Sequence, residues 1–276
     1  MHFICLEIIT PSDAYLKRVV ANMSIRRIDS YAQVDPIPSE AWVGFDLDDT
    51  VFIQKDRIIR NHYPVEREAL LEAVRAHHGD GVAARLFLDA EYQVIEDALI
   101  HLMSRLHAQG NSTFGFTART TGALWEGDSV EEASLQCLDA LGIQFQSPLQ
   151  DLRLPWMNND TVPDWTLEWH YRSVPNSDVC VHQGVLFTNN LDKGHVFEAV
   201  IKTLDLAIPS QLVMFDDKLD NLVSLRAMCE RLGILFTGYH YRHVDHLHTG
   251  PLDPTMVAIQ IEAGRRHGIL LPEDHL

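Results

Sequence analysis

The chain has 276 residues, with 22 Lys and Arg against 39 Asp and Glu, a net charge of −17 and a pI near 5.2. So acidic a chain lacks the basic footprint that binding a phosphate backbone requires, which sets nucleic-acid partners aside. Its 46% hydrophobic content and mean hydropathy of −0.08 suit a globular protein with a sizeable core, and no apolar run reaches the roughly 20 residues of a membrane span.

Near the start, Glu7 and Asp13 fall where a secretory signal needs its apolar stretch, so a cytoplasmic protein with no membrane partner is expected. Cys5, Cys137, Cys180 and Cys229 lie far apart with no C-x-x-C pair, the pattern of reduced, packed thiols. Residues 1–40 read as an N-terminal extension to a single α/β domain. Ala41–Phe45 predicts a buried strand that ends in the acidic turn Asp46-Leu47-Asp48-Asp49-Thr50. Residues 53–88 then hold more than a simple crossover needs, including a helix from Pro64 to Gly79. Leu88, Tyr92, Ile95, Leu99, Leu102 and Leu106 recur at helical spacing and predict one amphipathic helix stopped by Gly110.

Thr113–Phe116 predicts a second strand, and Ser129-Val130-Glu131-Glu132 has the form of a capping box opening a helix that closes at Gly142. Residues 147–184, with Trp156, Trp165 and Trp169, have no clear period; like residues 53–88, they are a candidate cap over the strand ends. Both are expected to be mainly helical insertions, with surface decoration as the open alternative. The three tryptophans read more readily as packing for that insertion than as a stacking platform. Lys193–Leu206 predicts a third helix before Pro209, and Leu212–Phe215 and Gly233–Phe236 predict further strands. This β-α-β-α-β order implies a Rossmann-like parallel sheet with helices on both faces. Three strands end in Asp46, Thr117 and Asp216, and in such sheets ligands bind at the carboxyl ends.

Four motifs follow in order along that frame. The strand Val43-Gly44-Phe45 leads into Asp46-Leu47-Asp48-Asp49-Thr50, a D-x-D-x-T string; Phe114-Gly115-Phe116-Thr117 ends a strand in Thr; Lys193-Gly194 opens a helix; Phe215-Asp216-Asp217-Lys218-Leu219-Asp220-Asn221 is an acidic cluster at a strand end. In this order and context the chain resembles the haloacid dehalogenase superfamily across residues 41–236. The strings FTART, GVLFTNN and FDDKLDNL look like a poorly characterised bacterial branch related to the acid phosphatases.

The resemblance implies a Mg²⁺-dependent phosphohydrolase. Asp46 would be the nucleophile that forms an aspartyl-phosphate, and Asp48 the general acid/base. Thr117 and Lys193 would hold the phosphate, and Asp46, Asp48 (through its carbonyl), Asp217 and Asp216 would hold the metal. Asn221, with Asp220 beside it, would support that group. Which of Asp216 and Asp217 is the ligand stays open, as does a plain helix N-terminal charge pair. Elementary chemistry agrees: carboxylates repel a phosphate dianion unless a cation screens them, and oxygen-only ligands suit a hard cation. An acid at position 48 suits a phosphatase or phosphomutase acting on a phosphorylated small molecule or phosphoprotein. A phosphotransferase, and a low-turnover binding or effector protein of the same fold, are the alternatives. His240, His243, His246 and His248 form a second cluster, read as a polar histidine-rich loop with one or two histidines lining the site just after the last strand, rather than a zinc or nickel site. Oligomeric state is not legible in the sequence.

Overall fold

The computed structural model describes residues 24–88, 90–123, 129–155, 178–247 and 250–275. The chain begins with β1 (Ser24–Ile28), β2 (Trp42–Phe45), β3 (Phe52–Gln54), α1 (Pro64–His78), α2 (Asp80–Leu88) and β4 (Tyr92–Val94). It continues through α3 (Asp97–Gln109), β5 (Ser112–Thr117), α4 (Val130–Ala140), β6 (Leu152–Leu154), β7 (Val179–His182) and β8 (Val185–Phe187). It closes with α5 (Lys193–Thr203), β9 (Gln211–Asp216), α6 (Leu219–Leu232), β10 (Leu235–Tyr241), α7 (Val244–Leu247) and α8 (Pro254–His267).

Eight strands form one sheet in the order β1-β10-β9-β2-β5-β8-β7-β6. Every pair from β1 to β8 is parallel, while β7 runs antiparallel to β8 and to β6. Side-chain alternation divides the strands between two apolar layers. Val43, Phe45, Val213 and Phe215 pack with Leu99, Leu102 and Leu106 of α3 and Leu138 of α4. Phe114, Phe116, Leu212 and Met214 pack with Val196 and Phe197 of α5 and Leu222 and Leu225 of α6. Helices therefore cover both faces, as a sheet with two apolar faces demands. Gly44 is the thin point of the second layer: a Cβ there would lie 2.6 Å from Met214 Sδ and 2.8 Å from the Phe114 ring.

β2 has β5 on one side and β9 on the other, so the chain changes winding direction there and leaves a crevice at the carboxyl ends. Among the described residues no helix is long and apolar enough to cross a membrane.

Several expectations change. The stripe from Leu88 to Leu106 is two helices with a strand between: α2 ends at Leu88, Tyr92–Val94 pairs antiparallel with Phe52–Gln54, and α3 starts only at Asp97. The aromatic and β-branched side chains at 92, 94 and 95 favour extended backbone, and the β3 partner makes that preference decisive. The 53–88 insertion is helical, as expected, and is bracketed by this two-stranded ladder. It has its own core, in which Ile58, Leu70, Val74 and Leu86 meet Leu252 and the α8 residues Val257 and Ile261.

The 147–184 segment departs from the helical expectation, since its described ends are β6 and β7, which extend the sheet. Trp156, Trp165 and Trp169 lie outside the described residues. The N-terminal extension contributes the edge strand β1, whose Arg26-Arg27 pair interrupts the apolar run that marks the predicted strands; residues 1–23 lie outside the described residues. β10 runs on to Tyr241, which puts His240 on a strand rather than in a loop. At α4 half of the capping box forms: Ser129 accepts from Glu132 N, while the Glu132 carboxylate turns to His182 at 3.1 Å.

Candidate active site

Asp46 is the first residue past β2, and its N–H donates to the Phe215 carbonyl at 2.9 Å, fixing it against the end of β9. The chain then turns tightly: Val51 and Phe52 both donate to the Leu47 carbonyl, and Asp49 takes left-handed φ of 60°. That turn carries Asp48 away from Asp46, so the two carboxylates meet different partners.

Lys193, the first residue of α5, is 1% exposed. Its ammonium donates to Asp46 Oδ1 at 2.6 Å, to Asp216 Oδ2 at 2.7 Å and to the Phe116 carbonyl at 2.7 Å. Three donors meet three acceptors, which is the full capacity of the group. The helix start is fixed by Asp192, which accepts from His195 N and from Ser224 Oγ. Gly194 allows α5 to close on α6, because a Cβ there would lie 2.6 Å from the Ser224 carbonyl oxygen.

Asp216 is fully buried and accepts from Lys193, from Lys218 N at 2.9 Å and from Asn221 Nδ2 at 3.0 and 3.1 Å. Asp217 is partly buried, with its carbonyl accepting from Arg242 at 3.2 Å and lying 3.0 Å from His240 Nε2. Carboxylate oxygens of Asp46, Asp216 and Asp217 lie within 4.8 Å of one another. Burial pushes the Asp46 carboxyl up to about 7; Lys193 pulls it down and Asp216 pushes it up. Asp217 is raised well above the carboxylate range by burial and then by Asp46 and Asp216. Burial pulls the Lys193 ammonium down, but Asp216 and Asp46 outweigh it and hold it above its ordinary value. Crowded like charges of this kind are relieved by a cation.

The structure thus gathers Asp46, Asp216, Asp217, Lys193 and Asn221 at adjoining strand ends. It makes both aspartates of the 216–217 pair candidate ligands, with Asp216 the more enclosed. Asp220 is exposed in the first turn of α6 and is not among the gathered carboxylates. Thr117 is buried at the end of β5, its hydroxyl accepting from Arg119 N at 3.1 Å.

Asp48 stands apart, bound bidentately by Arg119 at 2.7 and 2.8 Å. Burial raises its carboxyl, yet the Arg119 guanidinium outweighs that and leaves it below the usual range. Arg119 was not picked out by sequence reasoning, although the FTART string places it two residues past Thr117. Asn61 was missed too; it reaches from the insertion to Asp49 Oδ2 at 2.8 Å. The three described histidines of the second cluster do not gather at one point: His240 faces the Asp217 carbonyl, while His243 and His246 meet at Asp29, with ring centroids 6.2 Å apart, His243 at 2.9 Å from its carbonyl and His246 at 3.8 Å from its carboxylate. His248 lies outside the described residues. Among those residues, the aspartate trio is the one gathered set of metal-ligating side chains.

Comparison with known proteins adds a family but no chemistry. A Chlamydia pneumoniae protein carrying the name "Putative outer membrane protein" is 21% identical over 246 residues, covering 86% of this chain and 83% of that relative. No solved structure matches. A family match spans residues 23–271, from the edge strand β1 to beyond α8, and the chain belongs to that family, described as Protein of unknown function (DUF2608).

Proposed function

We propose that this chain is a Mg²⁺-dependent phosphomonoester hydrolase of haloacid dehalogenase type, acting on a phosphorylated small molecule or phosphoprotein. The observation that carries the proposal is the buried Lys193 ammonium bridging Asp46 and Asp216 at three adjoining strand ends, with Asp217 alongside. An ammonium held there has nothing to do for folding that a neutral core would not do more cheaply, since buried charges cost desolvation. The all-oxygen donor set fits a hard divalent cation, which Asp46, Asp216 and Asp217 would hold; when bound, the ion offsets the negative charge of the phosphoryl group and its surroundings.

In this scheme a carboxylate oxygen of Asp46 attacks phosphorus, and the bond to the leaving oxygen breaks. Asp48 is the general acid/base: ionised under the Arg119 guanidinium, it takes a proton from the water that releases phosphate from Asp46, and the proton so gained serves a leaving oxygen that needs one in the next turnover. Lys193 orients Asp46 and lowers its proton affinity against the effect of burial. Thr117 offers its hydroxyl to the phosphoryl oxygens. Three free thiols among the described residues, Cys137, Cys180 and Cys229, suit a reducing compartment, so we place the enzyme in the cytoplasm. Cell fractionation tests that placement against the membrane name of the relative.

The enzymatic test is p-nitrophenyl phosphate hydrolysis in Mg²⁺ buffer. The wild type is expected to turn over, and Asp46→Asn to lose activity by a factor on the order of 10³ or more while still folding, as shown by a cooperative melt. Equal turnover in the variant would remove Asp46 from the chemistry.

A further inference from the structure

Arg119 is enclosed more tightly than a surface ion pair requires. Its side chain is 12% exposed and lies over the rings of Phe52 and Tyr92, at 5.2 and 5.6 Å from their centroids. Nε and Nη2 grip the two Asp48 oxygens, Nη1 donates to Ser134 Oγ on α4 at 2.8 Å, and Nη2 also donates to the Tyr92 hydroxyl at 3.2 Å. Its own backbone N–H is fixed on Thr117 Oγ1. The guanidinium is thereby held by β5, α4 and the β3–β4 ladder together. A planar fork so anchored sets the plane of the carboxylate that it grips. Asp48 keeps 30% side-chain exposure, and a carboxylate has about four lone-pair sites, of which the fork takes two.

Resting on the phosphohydrolase reading, we propose that Arg119 is a positioning residue for the second half of the reaction, fixing Asp48 in the orientation from which it takes a proton from the attacking water. In that step the water oxygen bonds to phosphorus and its proton passes to Asp48. The bond from phosphorus to the Asp46 oxygen breaks, and its electron pair returns to the Asp46 carboxylate. Inorganic phosphate leaves. Loss of the fork slows this step and spares the first one for any leaving group that departs without a proton.

Rapid mixing with p-nitrophenyl phosphate in Mg²⁺ buffer separates the two steps, because nitrophenolate leaves in the first. Arg119→Ala is expected to lower kcat by about 100-fold, the scale of a small misplacement of a catalytic group. The ratio kcat/KM should stay near wild type, with a nitrophenolate burst stoichiometric with enzyme and recovery of kcat on adding guanidinium ion. Arg119→Lys should recover little, since an ammonium cannot form the fork. Should Arg119→Ala fold poorly, Tyr92→Phe removes one anchor and keeps the ring; it should lower kcat about fivefold, again with kcat/KM held. A fall in kcat and kcat/KM together without a burst, or an unchanged kcat, overturns the positioning role. A wild type that releases no phosphate overturns the phosphohydrolase reading, and this role with it.

Discussion

Replacing Lys193 with methionine keeps the length of the side chain and deletes its charge, which isolates what the ammonium does for the fold. Three acceptors lose their donor at once: Asp46 Oδ1, Asp216 Oδ2 and the Phe116 carbonyl, all buried. Removing one partner of a buried ion pair costs about 3–5 kcal/mol, because the charge left behind stays desolvated. The orphaned carbonyl adds about 1 kcal/mol more, partly offset by the methionine's packing. We therefore expect a loss of about 4 kcal/mol, read by urea denaturation in chelating buffer near neutral pH.

The loss should shrink as pH falls. Without Lys193 the Asp46 carboxyl, already raised by burial, gains further proton affinity in the folded state over the unfolded one, so stability rises on acidification. Adding Asp216→Asn removes the facing charge and should recover about 1–2 kcal/mol, a coupling that a double-mutant cycle isolates. A single-variant loss under about 1 kcal/mol would refute the picture of an ammonium enclosed by two buried carboxylates.

Gly194→Ala places a Cβ against the Ser224 backbone, which cannot swing aside like a flexible side chain, and should cost about 1–3 kcal/mol by thermal melting; an unchanged melting curve would show that α5 and α6 are free to separate. In chelating buffer, Asp46 with its folded value near 7 contributes stability that is full below about pH 4 and lost as pH rises towards 7. Asp46→Asn lacks that slope, so its stability relative to wild type should climb across the same window, and a flat difference would contradict the burial of this carboxylate. Asn221→Leu leaves Asp216 without the amide that touches both of its oxygens and should weaken Mg²⁺ binding about 10- to 100-fold by calorimetry.

The site was legible in the sequence because its parts stand at strand ends and helix starts, where local pattern fixes position. Asp46, Thr117, Lys193 and Asp216 each sit one step past an apolar run or on a capped first turn, and each lands where those signals put it. The interruption between Leu88 and Leu106 was not legible. Two helices and a short strand preserved the same spacing, and only pairing with Phe52–Gln54, some forty residues earlier, distinguishes them. Arg119 escaped for a related reason: its role depends on Asp48, Ser134 and Tyr92, which come together only after β2, α4 and β4 are in place. Long-range ladders and ion pairs leave no periodic trace.

Charge accounting at the crevice bears on the order of binding. Asp46, Asp48, Asp49, Asp216 and Asp217 crowd one end of the sheet in a chain already carrying −17. The nearest cations are Lys193, Arg119, Arg242 and Lys218, but the first is saturated by Asp46, Asp216 and a carbonyl, the second is bound to Asp48, and the third is paired with Asp245 and donates to the Asp217 carbonyl. Lys218 is exposed at the rim, and although burial of its head pulls its ammonium down, Asp217 and Asp46 outweigh that and raise it. A phosphate dianion approaching this arrangement meets net repulsion at short range, where screening by salt is weakest. A divalent cation held by the three carboxylates reverses the sign of that field. Cation before phosphate is then the order that electrostatics imposes, and calorimetry with inorganic phosphate checks it. Phosphate should bind with Mg²⁺ present and give no heat in chelating buffer; equal affinity in both would mean that Lys218 and the backbone suffice, and that the aspartate trio serves some end other than screening.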